Sequence, residues 1–231
     1  MKAKAFGALG VGLLGAFSMT AHAGVLQGRD LNSDGTFDAY YDTTLDITWL
    51  ADANYAGSKM TWNDARTWAS SLNIYGYTGW RLPTMIDQYP SGGTNCNKAY
   101  DGTDCGYNVD TVGTDGTIYS ELASMFYDTL GNLAIYDTNG KEQDGWGLKN
   151  TGPFTNLQAD AYWFGLIYTP DGDNSWDFNF RDGFQYAHNQ SELKYAWAVR
   201  SGDITPVPIP ATAWLFGSGL IGLLGALRFK R

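Results

Sequence analysis

An α+β fold is predicted for this chain, with two helices, an antiparallel sheet and a long loop region. Three observations carry the prediction. Apolar residues alternate in Leu45, Ile47 and Trp49, in Trp176, Phe178 and Phe180, and in Tyr195, Trp197 and Val199, which is the period of a strand. Trp62, Ala65, Trp68, Ala69 and Leu72 recur instead with the period of one helix face. The helical patterns come early and the strand patterns concentrate late, an order that segregates helices from sheet.

Taken in order, Leu45 to Trp49 is the first strand, with Asp46 and Thr48 on the outer face. Thr61 and Asp64 form a capping box that opens the first helix. The second helix runs from Tyr119 to Leu130, turns Leu122, Met125, Phe126 and Leu130 inward, and stops at Gly131. A long loop follows, from Gly131 to Asp173. Trp176 to Phe180 is a strand, Asp182-Gly183 reads as a two-residue hairpin turn, and Phe184 and Tyr186 lie on the return strand. Tyr195 to Val199 is the last strand.

The two ends of the chain differ from this middle. Lys2 and Lys4 precede an apolar, small-residue stretch that ends in Ala21-His22-Ala23, the anatomy of a secretory signal peptide over 1–23. At the other end, residues 203–210 form a linker and residues 211–231 an apolar helix with a basic end, Arg228, Lys230 and Arg231. A span needs about 17 apolar residues at the least, which Ala211 to Leu227 supplies. Basic residues favour the cytoplasmic side, so the segment between 24 and 205 would be exported. Gly217, Gly219, Gly222 and Gly225 give a small-residue face that another helix can approach closely.

Val207-Pro208-Ile209-Pro210-Ala211, followed by Trp214-Leu215-Phe216-Gly217-Ser218-Gly219, an apolar helix and a basic tip, resembles a PEP-CTERM sorting signal of the VPLPA-like variant. The resemblance implies recognition by an exosortase and transient residence in the inner membrane of a Gram-negative bacterium. It further implies cleavage near the proline motif and release to the cell surface or extracellular matrix, where exopolysaccharide is made.

All 24 acidic residues lie between the two end segments, which hold five of the 15 basic ones. The middle therefore keeps ten basic against 24 acidic residues, a net charge of −14. Such a surface argues against nucleic acid and against anionic membranes. The two cysteines, Cys96 and Cys105, fall in the polar stretch NCNKAYDGTDCGYN. In an oxidising compartment they are expected to close one small disulfide loop, the alternative being a metal or redox pair.

MTWNDARTWASSLNIYGYTGWRLPT, from Met60 to Thr84, resembles the Lcl C-terminal domain family, a C-type-lectin-like group of bacterial surface proteins. So do Tyr162 to Tyr168, the hairpin from Trp176 to Phe184, and Tyr195 to Arg200. The domain is set at 24–202. The resemblance implies a C-type-lectin-like fold in which the first and last strands pair and a long irregular region presents the ligand surface. Polysaccharide is the ligand class it implies.

Several residues invite a site. Asp30, Asn32, Asp34, Thr36 and Asp38 have the spacing of a calcium loop, with Gly35 at the sharp turn. Tyr41 stands where a bidentate glutamate belongs, so any binding is weak, and an Asp/Asn/Gly turn explains the same residues. Asp171-Gly172-Asp173-Asn174 is read as a second turn. Trp80-Arg81 is read as a core corner with the guanidinium bonded to backbone. Trp146, flanked by Gly145 and Gly147 and close to Asp144, is the candidate for an exposed ring that stacks on a glycan; a plug onto the domain is the competing reading.

Catalysis finds little support. His188 is the single histidine after the signal segment, and Glu121, Glu142 and Glu192 are the only glutamates. That removes histidine-rich metal sites and most Ser-His-Asp arrangements. The expectation is a non-enzymatic surface protein that binds polysaccharide, with no cofactor beyond weak calcium. A structural matrix protein without a discrete ligand is the alternative, and a glycan-active enzyme comes third.

Overall fold

The computed structural model describes residues 26–90 and 99–204. The signal segment 1–23, the motif from Val207 to Ala211, the tail helix 211–231 and Cys96 lie outside the described residues. Among the described residues no helix is long and apolar enough to cross a membrane.

In chain order the elements are β1 (Leu26–Arg29), β2 (Ala39–Asp42), β3 (Ile47–Leu50), α1 (Trp62–Ser71), α2 (Glu121–Ala123), β4 (Ala161–Ile167), β5 (Asn174–Asn179), β6 (Phe184–Asn189) and β7 (Val199–Ser201). They make two antiparallel sheets, one ordered β1-β2-β3-β7 and one ordered β4-β5-β6. The mixed α+β prediction holds, with two short helices and two sheets in place of one.

The first sheet corrects two expectations. Leu45 belongs to a turn, Asp46 takes a left-handed φ of 52°, and the strand begins at Ile47. All four β3 residues are buried, because β3 is central and has β2 and β7 as neighbours. Thr48, expected on the outer face, is buried and donates its hydroxyl to the Gly202 carbonyl at 2.8 Å. The strand predicted as the first, now β3, does pair with the last, β7, while the additional strand β1 lies at the far edge. Arg29 of β1 nonetheless reaches Asp203, just past β7, at 2.6 Å.

Helix α1 follows its sequence closely. Thr61 caps it by accepting from the Asp64 amide, and Trp62, Ala65 and Ala69 are buried. These residues pack on Trp163 of β4, Leu82 and Ala196. The second predicted helix is shorter and irregular. Three α-helical residues continue as a π-helical segment, Ser124–Thr129, in which the Leu130 amide reaches back to the Met125 carbonyl. Its inward residues are those predicted: Leu122, Met125, Phe126 and Leu130 are all buried.

The β5–β6 connection is longer than a two-residue turn. Asn179 pairs with Phe184, so Phe180 to Gly183 all lie in the turn. Phe180 leaves the ladder to bury its ring against Phe126, Phe178 and Tyr162, and that burial outweighs a tighter turn. Asp171 to Asn174 forms the turn its sequence suggests, with the Asn174 amide donating to the Asp171 carbonyl.

The segment from Tyr195 to Ser201 joins the two sheets. Tyr195 exchanges backbone hydrogen bonds with β4, and Ala198 accepts from Leu50 of β3. Between them Trp197 fills the centre of the core. Its ring lies 4.6 Å from Trp49 and 4.8 Å from Phe154, and its indole donates to the Leu50 carbonyl at 2.8 Å.

Candidate functional site

The turn between β1 and β2 carries the candidate calcium residues. The Asp30 carboxylate accepts from the amides of Ser33, Asp34 and Gly35. Asn32 accepts from Asp34, Asp34 from Thr36, and Asp38 from Leu31. The Thr36 amide, followed by the Asn32 side-chain amide that donates to Asp34 at 2.9 Å, holds the Asp34 carboxyl below its usual range. Each of these side-chain oxygens is thus accounted for as a turn brace. Among the described residues no group of three or more histidine, cysteine, aspartate or glutamate side chains is placed to hold a metal.

Trp80 and Arg81 form the core corner expected of them. Trp80 is buried. Arg81 bonds the Leu82 carbonyl and, beyond what the sequence suggested, grips the buried Glu121 carboxylate with both terminal nitrogens at 2.8 Å. Glu121 also accepts from the Thr84 amide. A two-pronged, fully bonded pair of this kind fixes the Arg81–Thr84 strip against the start of α2.

Trp146 is half-buried, not the freely exposed ring that its flanking glycines suggest. Gly145 and Gly147 take φ of 77° and 89°, and the turn they make lays the indole back toward Glu142, to which it donates at 3.2 Å. Asp144 is exposed. Six of the eight tryptophans before the tail are buried: Trp49, Trp62, Trp80, Trp163, Trp176 and Trp197. Packing between two sheets and α1 therefore absorbs more tryptophan than expected. Cys105 is buried and is not a free thiol; the pairing with Cys96 falls outside the described residues.

The partly exposed aromatic surface lies elsewhere, on β6. This strand is an edge of its sheet. Phe184, Tyr186 and His188 are every second residue and share one face, while Gln185 points to the core and is fully buried. The hairpin register sets this: Trp176 and Phe178 lie opposite Ala187 and Gln185, which commits the other β6 face outward.

Loops extend the row. Gly106 bridges to Gln185 with φ of 102°, and a Cβ there would collide with the Ala99 carbonyl, so glycine is required for this approach. The bridge sets Tyr107 beside Phe184, ring centroids 4.8 Å apart. Tyr136 and Tyr100 follow at 5.4 Å and 5.2 Å, and Phe184, Tyr186 and His188 continue at 5.6 Å and 5.3 Å. The result is one strip of six touching rings, each partly exposed. Burial, joined by the Asp182 charge, pushes the Tyr107 phenol up to about 12, so that phenol stays uncharged across the physiological range. Sequence reasoning found Phe184 and Tyr186 on the return strand but missed His188 as their neighbour, and missed Tyr100, Tyr107 and Tyr136, whose loops carry no period.

Beneath the strip lies a charged network that the sequence did not reveal. Asp177 of β5 is 2 % exposed and accepts from His188, Nδ1 to Oδ2, at 2.6 Å. The Lys194 ammonium stands 3.7 Å from the same carboxylate and 2.9 Å from Glu192. Ser175 lies opposite His188 in register. A serine, a histidine and an aspartate thus share one face, but Ser175 is fully buried and its hydroxyl meets no partner among the described residues. This is not the nucleophile–base contact that acyl transfer requires.

No protein-family model matches this chain, and no curated protein matches it either.

Proposed function

We propose that this is an exported, surface-sorted protein with a C-type-lectin-like domain that binds an uncharged polysaccharide along the six-ring strip from Tyr100 to His188. The observation that carries the reading is the strip itself. Rings give sugars flat apolar faces without charge, while phenol and imidazole tips supply hydrogen bonds. A domain that carries −14 net charge between the two end segments has no use for a basic track, and the strip provides none. Export, exosortase processing at Val207 to Ala211 and a place in the exopolysaccharide matrix rest on the sequence of the two ends.

Two measurements test this. Titration of the purified protein with the exopolysaccharide of its own host is expected to saturate, and Tyr186→Ala with Tyr107→Ala is expected to weaken it at least tenfold with the fold intact by circular dichroism. Absence of saturable binding to any polysaccharide would leave the matrix-structural reading in its place. Mass spectrometry of the surface form is expected to find a C-terminus near Val207 to Ala211; an intact Arg231 there would make the tail a plain anchor.

A further inference from the structure

Beside Gly165 of β4, α1 and the Arg81–Thr84 strip border an open cleft of about 440 Å³. Asn63, Arg66, Thr67 and Ser70 of α1 line one wall, and Thr84 and Gly165 line the other. Arg81 is present as well, but both its terminal nitrogens are committed to Glu121, so it builds the wall and carries no spare charge. Arg66 differs. Its guanidinium carbon lies 4.6 Å over the Trp62 ring, and among the described residues it makes no ion pair or hydrogen bond. Stacking covers a face of the guanidinium and restrains it, while the N–H donors at its rim remain open to a ligand.

The hydroxyls of the helix wall have the opposite character. Thr67 donates its proton to the Asn63 carbonyl at 2.9 Å, and Ser70 donates to the Thr67 carbonyl at 3.0 Å. Their oxygens are left as acceptors. The cleft thus offers a cationic donor beside a row of neutral acceptors. A complementary ligand has an anionic oxygen pair for Arg66 and several hydroxyl protons for Thr67 and Ser70. The nearest acidic side chain of α1, Asp64, is engaged by the Thr61 hydroxyl at 2.6 Å and is not part of the lining.

We infer that this cleft binds a sugar acid, one pyranose unit bearing a carboxylate, with Arg66 holding the carboxylate and the Thr67 and Ser70 oxygens accepting from ring hydroxyls. The net charge of −14 between the two end segments repels long polyanions, but screening limits that field to about 8 Å at physiological salt, so a single carboxylate answers mainly to Arg66. The site is separate from the aromatic strip and stands or falls without it.

The test uses the full-length chain in detergent, titrated by NMR line-broadening with glucuronate, glucose and acetate. Glucuronate is expected to bind at least tenfold more tightly than either glucose, which lacks the carboxylate, or acetate, which lacks the hydroxyls. Arg66→Gln should abolish the preference over glucose. Gly165→Val should block all binding: a Cβ at Gly165 meets Leu82 at 3.5 Å, an ordinary contact, and the strand favours a branched residue. Leu193→Ala, at an exposed position outside both the cleft and the strip, should change nothing. Equal binding of glucuronate and glucose, unaltered glucuronate affinity in Arg66→Gln, or no glucuronate binding at all would overturn the inference.

Discussion

Asp177 and His188 face each other across β5 and β6 at 2.6 Å, the carboxylate 2 % exposed and the imidazole 37 %. Burial is the largest influence on Asp177 and raises its carboxyl above the usual range, against the lowering pull of His188 and Lys194. A carboxyl whose pKa is higher in the folded state binds its proton more tightly there. Its contribution to stability is therefore greatest below the unfolded value, about 3.9, and is lost as pH rises through the folded one. The melting temperature of the wild type relative to Asp177→Asn is expected to fall as pH rises from 3.5 toward 7. A difference that stays flat or grows over that range would mean the charge is stabilised by its partners on balance.

Trp197 and Trp146 provide a matched pair of deletions. Trp197 is fully buried between the sheets, and large-to-small changes at such sites cost about 3–5 kcal/mol. Trp146 keeps one hydrogen bond, to Glu142, and a half-exposed ring, so Trp146→Ala is expected to cost about 1 kcal/mol or less. Chemical denaturation measures both. The same Trp146→Ala protein, titrated with polysaccharide, decides whether this ring and Asp144 belong to the ligand surface: an unchanged affinity confines binding to the strip.

Cys96→Ser is expected to lower stability by about 2–3 kcal/mol, the chain-entropy value for a short closed loop. Thiol labelling of the non-reduced, exported protein checks the pairing directly. Two labelled cysteines would exclude the disulfide.

Calcium is the fourth case. The braces around Asp30 form from amide donors alone, so EGTA is expected to leave the melting temperature unchanged. A rise of several degrees on adding millimolar calcium, lost in Asp30→Asn, would assign the turn a metal.

Local signals in the sequence translated well. The Thr61 cap, the α1 face and the inward residues Leu122, Met125 and Phe126 were all legible, because each depends on neighbours within one or two turns. The misreadings share a physical origin. Thr48 is polar by type yet buried, since a strand with partners on both sides has no outer face and its hydroxyl found Gly202. Trp146 looked exposed because glycines flank it, but positive φ at both glycines folds the ring back. Glu121 became the partner of Arg81 across 40 residues, a separation no spacing rule spans. Half of the aromatic strip was hidden for the same reason: Tyr107 joins Phe184 only through a bridge at Gly106 that tertiary structure creates.

The stretch from Tyr195 to Ser201 hydrogen-bonds to both sheets, and this sets the order in which the molecule can be completed. A chain emerging from its amino end presents β3 and β4 with unsatisfied edges until this last stretch arrives. Those edges are long-range pairings, slow to form and open to partners from other chains in the meantime. A molecule cut short before Tyr195 would keep most of its apolar residues and both three-stranded meanders, β1-β2-β3 and β4-β5-β6, yet it would lack the clasp that closes them and would be prone to aggregate.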